Sequence, residues 1–191
     1  MDKGPVRQLV LLRHAKSAWP DVPDHERPLA RRGRRDAPGA GRWLRDAGCV
    51  PDQVLCSTAV RARQTWQLAQ TGLGTSPPVT FERRAYQASA AGLLHLVQLT
   101  SATVRTLLII GHDPAIQDLA LTLAEAAPQA GASGAGAGPP PPLDRMRAKF
   151  PTAAIAILEF TGPWARLGPG LARLASFVTP RDISARAPGG E

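Results

Sequence analysis

The sequence predicts an α/β fold, a three-layer α/β/α sandwich around a mostly parallel central sheet. Two observations predict it. Short apolar runs of strand length alternate along the chain with longer segments whose apolar residues recur at helical spacing. Such alternation favours a sheet covered by helices on both faces. The 191 residues, 43% of them hydrophobic, suit one core, so a single domain spanning 1–191 is expected.

Residues 8–12, Gln-Leu-Val-Leu-Leu, form a continuous apolar run between Arg7 and Arg13, as a strand buried on both faces requires. A polar loop with Pro20, Pro23 and Pro28 comes next. An Arg/Ala-rich segment over about 30–47 reads as a helix stopped at Gly48, with Pro38, Gly39 and Gly41 expected to kink it or delay its start. Residues 53–56 form a second strand. Ser57 or Thr58 is placed to cap a helix over about 59–70, with Gly72 as its terminator. A third strand is read at 79–82 and a helix at about 90–99. The run 105–110 is the most hydrophobic strand, and a helix opens from Asp113 with Pro114 in its first turn. Residues 128–142, rich in Gly, Ala, Ser and Pro, offer nothing to bury and read as a flexible surface insertion. A strand at 153–160 is next, then one last strand or short helix within 164–177, and a loose tail after about 186.

Composition narrows the function classes. No apolar run approaches the roughly 20 residues of a membrane span, and no targeting segment is read, so a cytoplasmic protein is expected. The formal charge is +8, carried almost wholly by arginine. These arginines are spread out without interleaved aromatics, which fits a solvated surface and attraction of anionic substrates better than nucleic-acid binding. Cys49 and Cys56 have no zinc-type spacing and read as buried free thiols.

The residues just after each buried strand carry the chemistry. The first strand runs into Arg13-His14, the second into a segment containing Arg61, and the most hydrophobic into Gly111-His112-Asp113-Pro114. Ligands in open α/β sheets bind beyond the carboxyl ends of the strands. Two arginines and two histidines are thus delivered to one rim, where helix N-termini add N–H groups. Guanidinium forks match phosphate oxygens and stay charged at any working pH. A histidine held among cations stays neutral and nucleophilic near pH 7. A metal site on His14 and His112 would need a third ligand that the spacing does not offer.

The segment Arg13-His14-Ala15-Lys16-Ser17 resembles the RHG/RHA signature of the histidine phosphatase superfamily, in the form of its SixA-like phosphohistidine phosphatase branch. Arg27-Pro28-Leu29 with Arg32-Gly33, the helix start from Ser57 to Thr65, and Gly111-His112-Asp113-Pro114 are similar to further motifs of that family, in the same order. Phe150-Pro151-Thr152 and the segment Phe177 to Arg181 fit the C-terminal part of the branch. The resemblance implies a phosphoglycerate mutase-like fold. It implies a metal-independent phosphatase, without cofactor, in which His14 attacks phosphorus and becomes a transient phosphohistidine. Arg13, Arg61 and His112 would hold the phosphoryl oxygens, Ser17 would add a hydrogen bond at the rim, and Lys16 would serve the entrance.

Many relatives also carry an acid for the leaving group. Glu82 is a candidate counterpart, with Asp21, Asp24 and Glu26 as alternatives. The SixA-like branch typically lacks such an acid, which a P–N leaving group tolerates. The expected partner is a phosphorylated protein, such as a histidine phosphotransfer domain. The alternative is a small phosphorylated metabolite handled by a broad-specificity phosphomonoesterase, and behind that a non-catalytic relative that only binds phospho-ligands. Neither nucleic acid nor membrane is expected. Arg63 and His25 read as solvated, and His95 as structural.

Overall fold

A computed structural model describes residues 4–125 and 140–186. Strand β1 (Val6–Arg13) is followed by α1 (Arg31–Asp46), β2 (Gln53–Ser57), α2 (Val60–Leu73), β3 (Val79–Glu82), α3 (Ala90–Gln98), β4 (Thr106–Gly111) and α4 (Ala115–Ala124). Helix α5 (Pro142–Ala148), strands β5 (Ile155–Thr161) and β6 (Arg173–Val178), and α6 (Pro180–Arg186) complete the described chain.

The strands form one sheet in the order β3-β2-β4-β1-β5-β6. Pairing is parallel from β3 through β2 and β4 to β1, whereas β5 runs antiparallel to both β1 and β6. The sheet is therefore mostly parallel. Because side chains alternate across a strand, Leu9 and Leu11 of β1 join one core with Leu93, Ile116 and Leu123 of α3 and α4. Val10 and Leu12 join the other, with Leu44 and Trp66 of α1 and α2. Three layers result, as the alternating pattern predicts.

The differences from the sequence expectations lie at breakers and caps. Pro38 sits inside α1, which starts at Arg31 without delay. The small residues there answer to packing. A Cβ on Gly41 would lie 1.8 Å from the Ala69 carbonyl oxygen, and one on Gly72 would lie 2.1 Å from that of Pro38. Gly72 is thus a buried contact within α2, and the helix ends at Gly74, whose φ of 77° is the left-handed conformation glycine adopts freely. Neither Ser57 nor Thr58 caps α2; its N-cap is Ala59, with no side-chain cap. Helix α5 is an addition: Pro142, assigned from sequence to the insertion, opens it. The rest of the 128–142 reading, up to residue 139, and the tail after 186 lie outside the described residues. The 164–177 segment resolves into a 3-10 turn, Trp164–Arg166, and strand β6.

Candidate active site

Adjacent parallel strands bring the two histidines together. Strands β1 and β4 pair with Arg13 opposite Gly111, and β2 joins β4 with Cys56 opposite Ile110. His14, Ser57 and His112 therefore leave the sheet side by side. The His14 backbone N–H donates to the Gly111 carbonyl at 3.0 Å. The His14 and His112 rings lie 5.0 Å apart between centroids, and His112 Nε2 is 2.7 Å from Ser57 Oγ.

His14 is 8% exposed, and its Nδ1 lies 2.8 Å from the Ala15 carbonyl oxygen. Ala15 is held in turn by its N–H donating to Thr65 Oγ1 at 3.0 Å. The loop is pinned from α1 as well. Ala30 N–H donates to the Lys16 carbonyl at 2.8 Å, and a Cβ on Gly33 would stand 2.2 Å from that same oxygen. Burial, with the charges of Arg61, Arg13 and Arg27, lowers His14 to about 4 against the Ala15 hydrogen bond, which raises it. Burial likewise lowers His112 to about 3, aided by His14 and Arg61. Both imidazoles are neutral at pH 7.

Arg61, on the first turn of α2, is buried and doubly held. Its Nη1 donates to the Asp24 carbonyl oxygen at 2.6 Å and its Nη2 to Asp24 Oδ2 at 2.9 Å. Asp24 also accepts from Tyr86 Oη at 2.6 Å and from Arg27 Nη1 at 2.8 Å. Arg13 donates from Nη1 to the Phe150 carbonyl at 2.6 Å and pairs with Asp113 Oδ2 at 3.3 Å. Arg13 Nε and His112 Nδ1 are buried without a hydrogen-bond partner among the described residues. A cavity of about 310 Å³ opens here, lined among others by Asp24, Arg61, Tyr86, His112 and Asp113. An unpartnered guanidinium N–H on Arg13 and an unpartnered ring nitrogen on His112, with Arg61 on the cavity wall, suit an oxyanion.

The structure brings His14, His112, Arg13 and Arg61 to this rim, but places other nominated residues elsewhere. Ser17 is buried, and its Oγ accepts from Arg27 Nη2 at 2.8 Å, so it braces that arginine. Lys16 is exposed. Glu82 does not line the cavity beside His112. Its carboxylate accepts from the Arg84 backbone N–H at 2.9 Å and from Arg84 Nη2 at 2.7 Å, which lowers its pKa and keeps it ionised. Asp24 is near the site but is also held ionised, by the Tyr86 hydroxyl first and then by Arg61 and Arg27. Asp21 and Glu26 are exposed. His25 is half-buried instead of solvated, with Nε2 3.0 Å from Thr58 Oγ1. Arg63 is exposed and lies over the Phe81 ring. His95 is exposed on α3.

Sequence reasoning misses Tyr86, and it weighs Asp24 only as an acid. Tyr86 stands edge-on to both His25 and His112, at 4.7 and 5.5 Å between centroids. It is the single tyrosine of the chain, a signal too general to place it.

Comparison with known proteins gives a consistent result. The sequence profile of the histidine phosphatase superfamily (branch 1) matches residues 9–85. A protein of Mycobacterium tuberculosis is 44% identical over 171 residues, covering 89% of this chain and all of that protein. A Nakamurella multipartitia structure assigned as phosphohistidine phosphatase SixA superimposes with a TM-score of 0.80 at 34% identity, covering 94% of this chain and 99% of that one. A SixA assigned in the same way from Agrobacterium tumefaciens gives 0.70 at 26% identity, covering 91% and 98%.

Proposed function

Because the chain belongs to the histidine phosphatase superfamily, in its SixA-like branch, we propose that it is a phosphatase acting on phosphohistidine in a protein, with His14 as nucleophile. One observation carries the reading: the 2.8 Å contact of His14 Nδ1 with the Ala15 carbonyl. A carbonyl oxygen only accepts, so Nδ1 holds the ring proton and the Nε2 lone pair is free. Burial keeps it so at neutral pH.

Nε2 attacks phosphorus as the substrate's P–N bond breaks. The departing electron pair stays on the substrate imidazole, which takes a proton from solvent. The phosphorylated His14 ring is cationic, and Nδ1–H still donates to Ala15, a contact that favours the charged ring. Arg13 and Arg61 balance the phosphoryl oxygens throughout. Ser57 Oγ already accepts the Ala59 N–H at 3.3 Å. Its hydroxyl hydrogen is free to point at His112 Nε2, leaving the proton on His112 Nδ1 as a further donor. Water then attacks phosphorus, loses its proton to bulk solvent, and returns His14 and inorganic phosphate. No metal enters these steps.

Glu82 is engaged by Arg84, and Asp24 by Arg61, Arg27 and Tyr86, which favours a P–N substrate over the small-molecule alternative. An alkoxide leaving group needs a proton from an acid, and carboxylates paired with arginines are poor donors, whereas an imidazole leaves with less help. The deciding experiment is a panel assay in chelator. It compares a phosphohistidine protein with p-nitrophenyl phosphate and sugar phosphates, for the wild type and His14→Ala. Turnover of the phosphohistidine protein, absent in His14→Ala, is expected. Turnover surviving in His14→Ala would remove the nucleophile, abolition by chelator would remove the metal-free reading, and a preference for sugar phosphates would favour the alternative.

A further inference from the structure

A second cavity adjoins the phosphoryl site. It encloses about 780 Å³, is lined by His25, Thr58, Arg83, Arg84, Tyr86 and Gln87, and shares Tyr86 and Gln87 with the pocket beside His112. Its inner wall is fixed. His25 is held by Thr58, Tyr86 donates to Asp24, and the two rings meet edge to face. Its outer wall is cationic, because Arg83 and Arg84 are neighbours in the 3-10 turn Arg83–Ala85. No lining residue is a carboxylate. Arg84 is engaged by Glu82. Arg83 is exposed and forms no ion pair among the described residues.

A phosphoryl group bound at His14 leaves this neighbouring space unused. A substrate that filled both cavities would set a second group against Arg83, and a negative one would suit it. We propose that the outer cavity takes that second anionic group, supplied by acidic side chains flanking the phosphohistidine, and that Arg83 selects for it. The proposal rests on the phosphohistidine reading above. Arg83 offers a planar fork suited to a carboxylate, at a wet rim where charge sets encounter and choice of partner more than raw affinity.

The test uses the full chain and two phosphohistidine peptides that differ only in three flanking residues, Asp in one and Ser in the other. With exposed pairs contributing modestly, a preference of roughly fivefold in kcat/KM for the acidic peptide is expected, fading as salt is raised. Arg83→Glu, a change at an exposed position, should reverse that preference. Equal kcat/KM for both peptides in the wild type, or a preference that survives Arg83→Glu, overturns the inference while leaving the phosphohistidine reading standing. No cleavage of either peptide removes both. Fructose 1,6-bisphosphate against fructose 6-phosphate tests the other source of a second anion. A bisphosphate preference without a peptide preference also overturns the assignment to acidic side chains.

Discussion

Asp24 holds Arg61 through two different oxygens, its main-chain carbonyl on Nη1 and its carboxylate on Nη2. The loop after β1 thereby sets the orientation of an arginine on α2, leaving Nε–H and the outer Nη hydrogens for another acceptor. The same carboxylate takes the Tyr86 hydroxyl and Arg27, so one acidic group ties three segments together.

Removing that group should loosen the cationic pocket without touching the nucleophile. For Asp24→Ala we expect kcat/KM to fall by roughly 10- to 100-fold, as positioning losses commonly do, with Asp24→Asn between it and the wild type. A rise in kcat/KM would mean instead that Asp24 competes with substrate for Arg61. Steady-state kinetics on a phosphohistidine protein decides between them.

Ser57 Oγ touches His112 Nε2 and also accepts the N–H of Ala59, the residue that opens α2. Ser57→Ala should lower kcat by about 100-fold, as loss of one positioned donor does. Circular dichroism should stay unchanged and the melting temperature should fall by roughly 2–4 °C, about 1 kcal/mol for the buried Ala59 N–H left without its acceptor. A kcat equal to the wild type's would show that the ring keeps its orientation without the hydroxyl.

Both site histidines should remain neutral well below the usual range. Nitrogen-15 spectra of the ligand-free protein at about pH 5.5 should show His14 unprotonated at Nε2 and protonated at Nδ1, given its lowering from 6.5 to about 4. Stability carries the matching sign. The unfolded chain takes up these protons near 6.5 and the folded chain does not, so stability falls as pH drops from 6.5 toward 4, by on the order of 3 kcal/mol for His14 alone. Denaturant melts across that window check it; stability that rises toward pH 4 would contradict it.

Two glycines in one helix should respond with opposite sign. Gly41→Ala forces a carbon into the Ala69 carbonyl and should cost about 3 kcal/mol or more, lowering Tm by roughly 6–12 °C. Gly39→Ala meets only Ile183 at 3.6 Å and Arg42 at 3.8 Å. It should gain about 0.5–1 kcal/mol by replacing glycine in a helix interior. Thermal melts of the two variants give the comparison.

The legible parts of this molecule are those whose signal is local. Residues 8–12 and 105–110 announce buried strands by continuous apolarity, and β1 and β4 lie within a residue or two of those runs. His14 and His112 can be placed because each lies just beyond such a run. The direction of β5 cannot, since an apolar strand reads alike in either orientation. Gly72 reads as a helix stop because a glycine demanded by a neighbouring helix looks the same in sequence as one demanded by a left-handed turn. The Asp24–Tyr86 contact joins residues 62 apart, and nothing in the spacing of either announces the other. Glu82 differs in kind: its partner Arg84 is two residues away, yet the sequence does not say whether the carboxylate turns to that arginine or to the pocket.

Where Gly33 meets Lys16, an atom the chain lacks lets the first turn of α1 lie flush against the backbone two residues beyond His14. The nucleophile's loop and that helical turn are therefore cast as one piece. A chimaera that draws the two from different parents would inherit matching side chains and still misplace the imidazole, unless position 33 came without a methyl group.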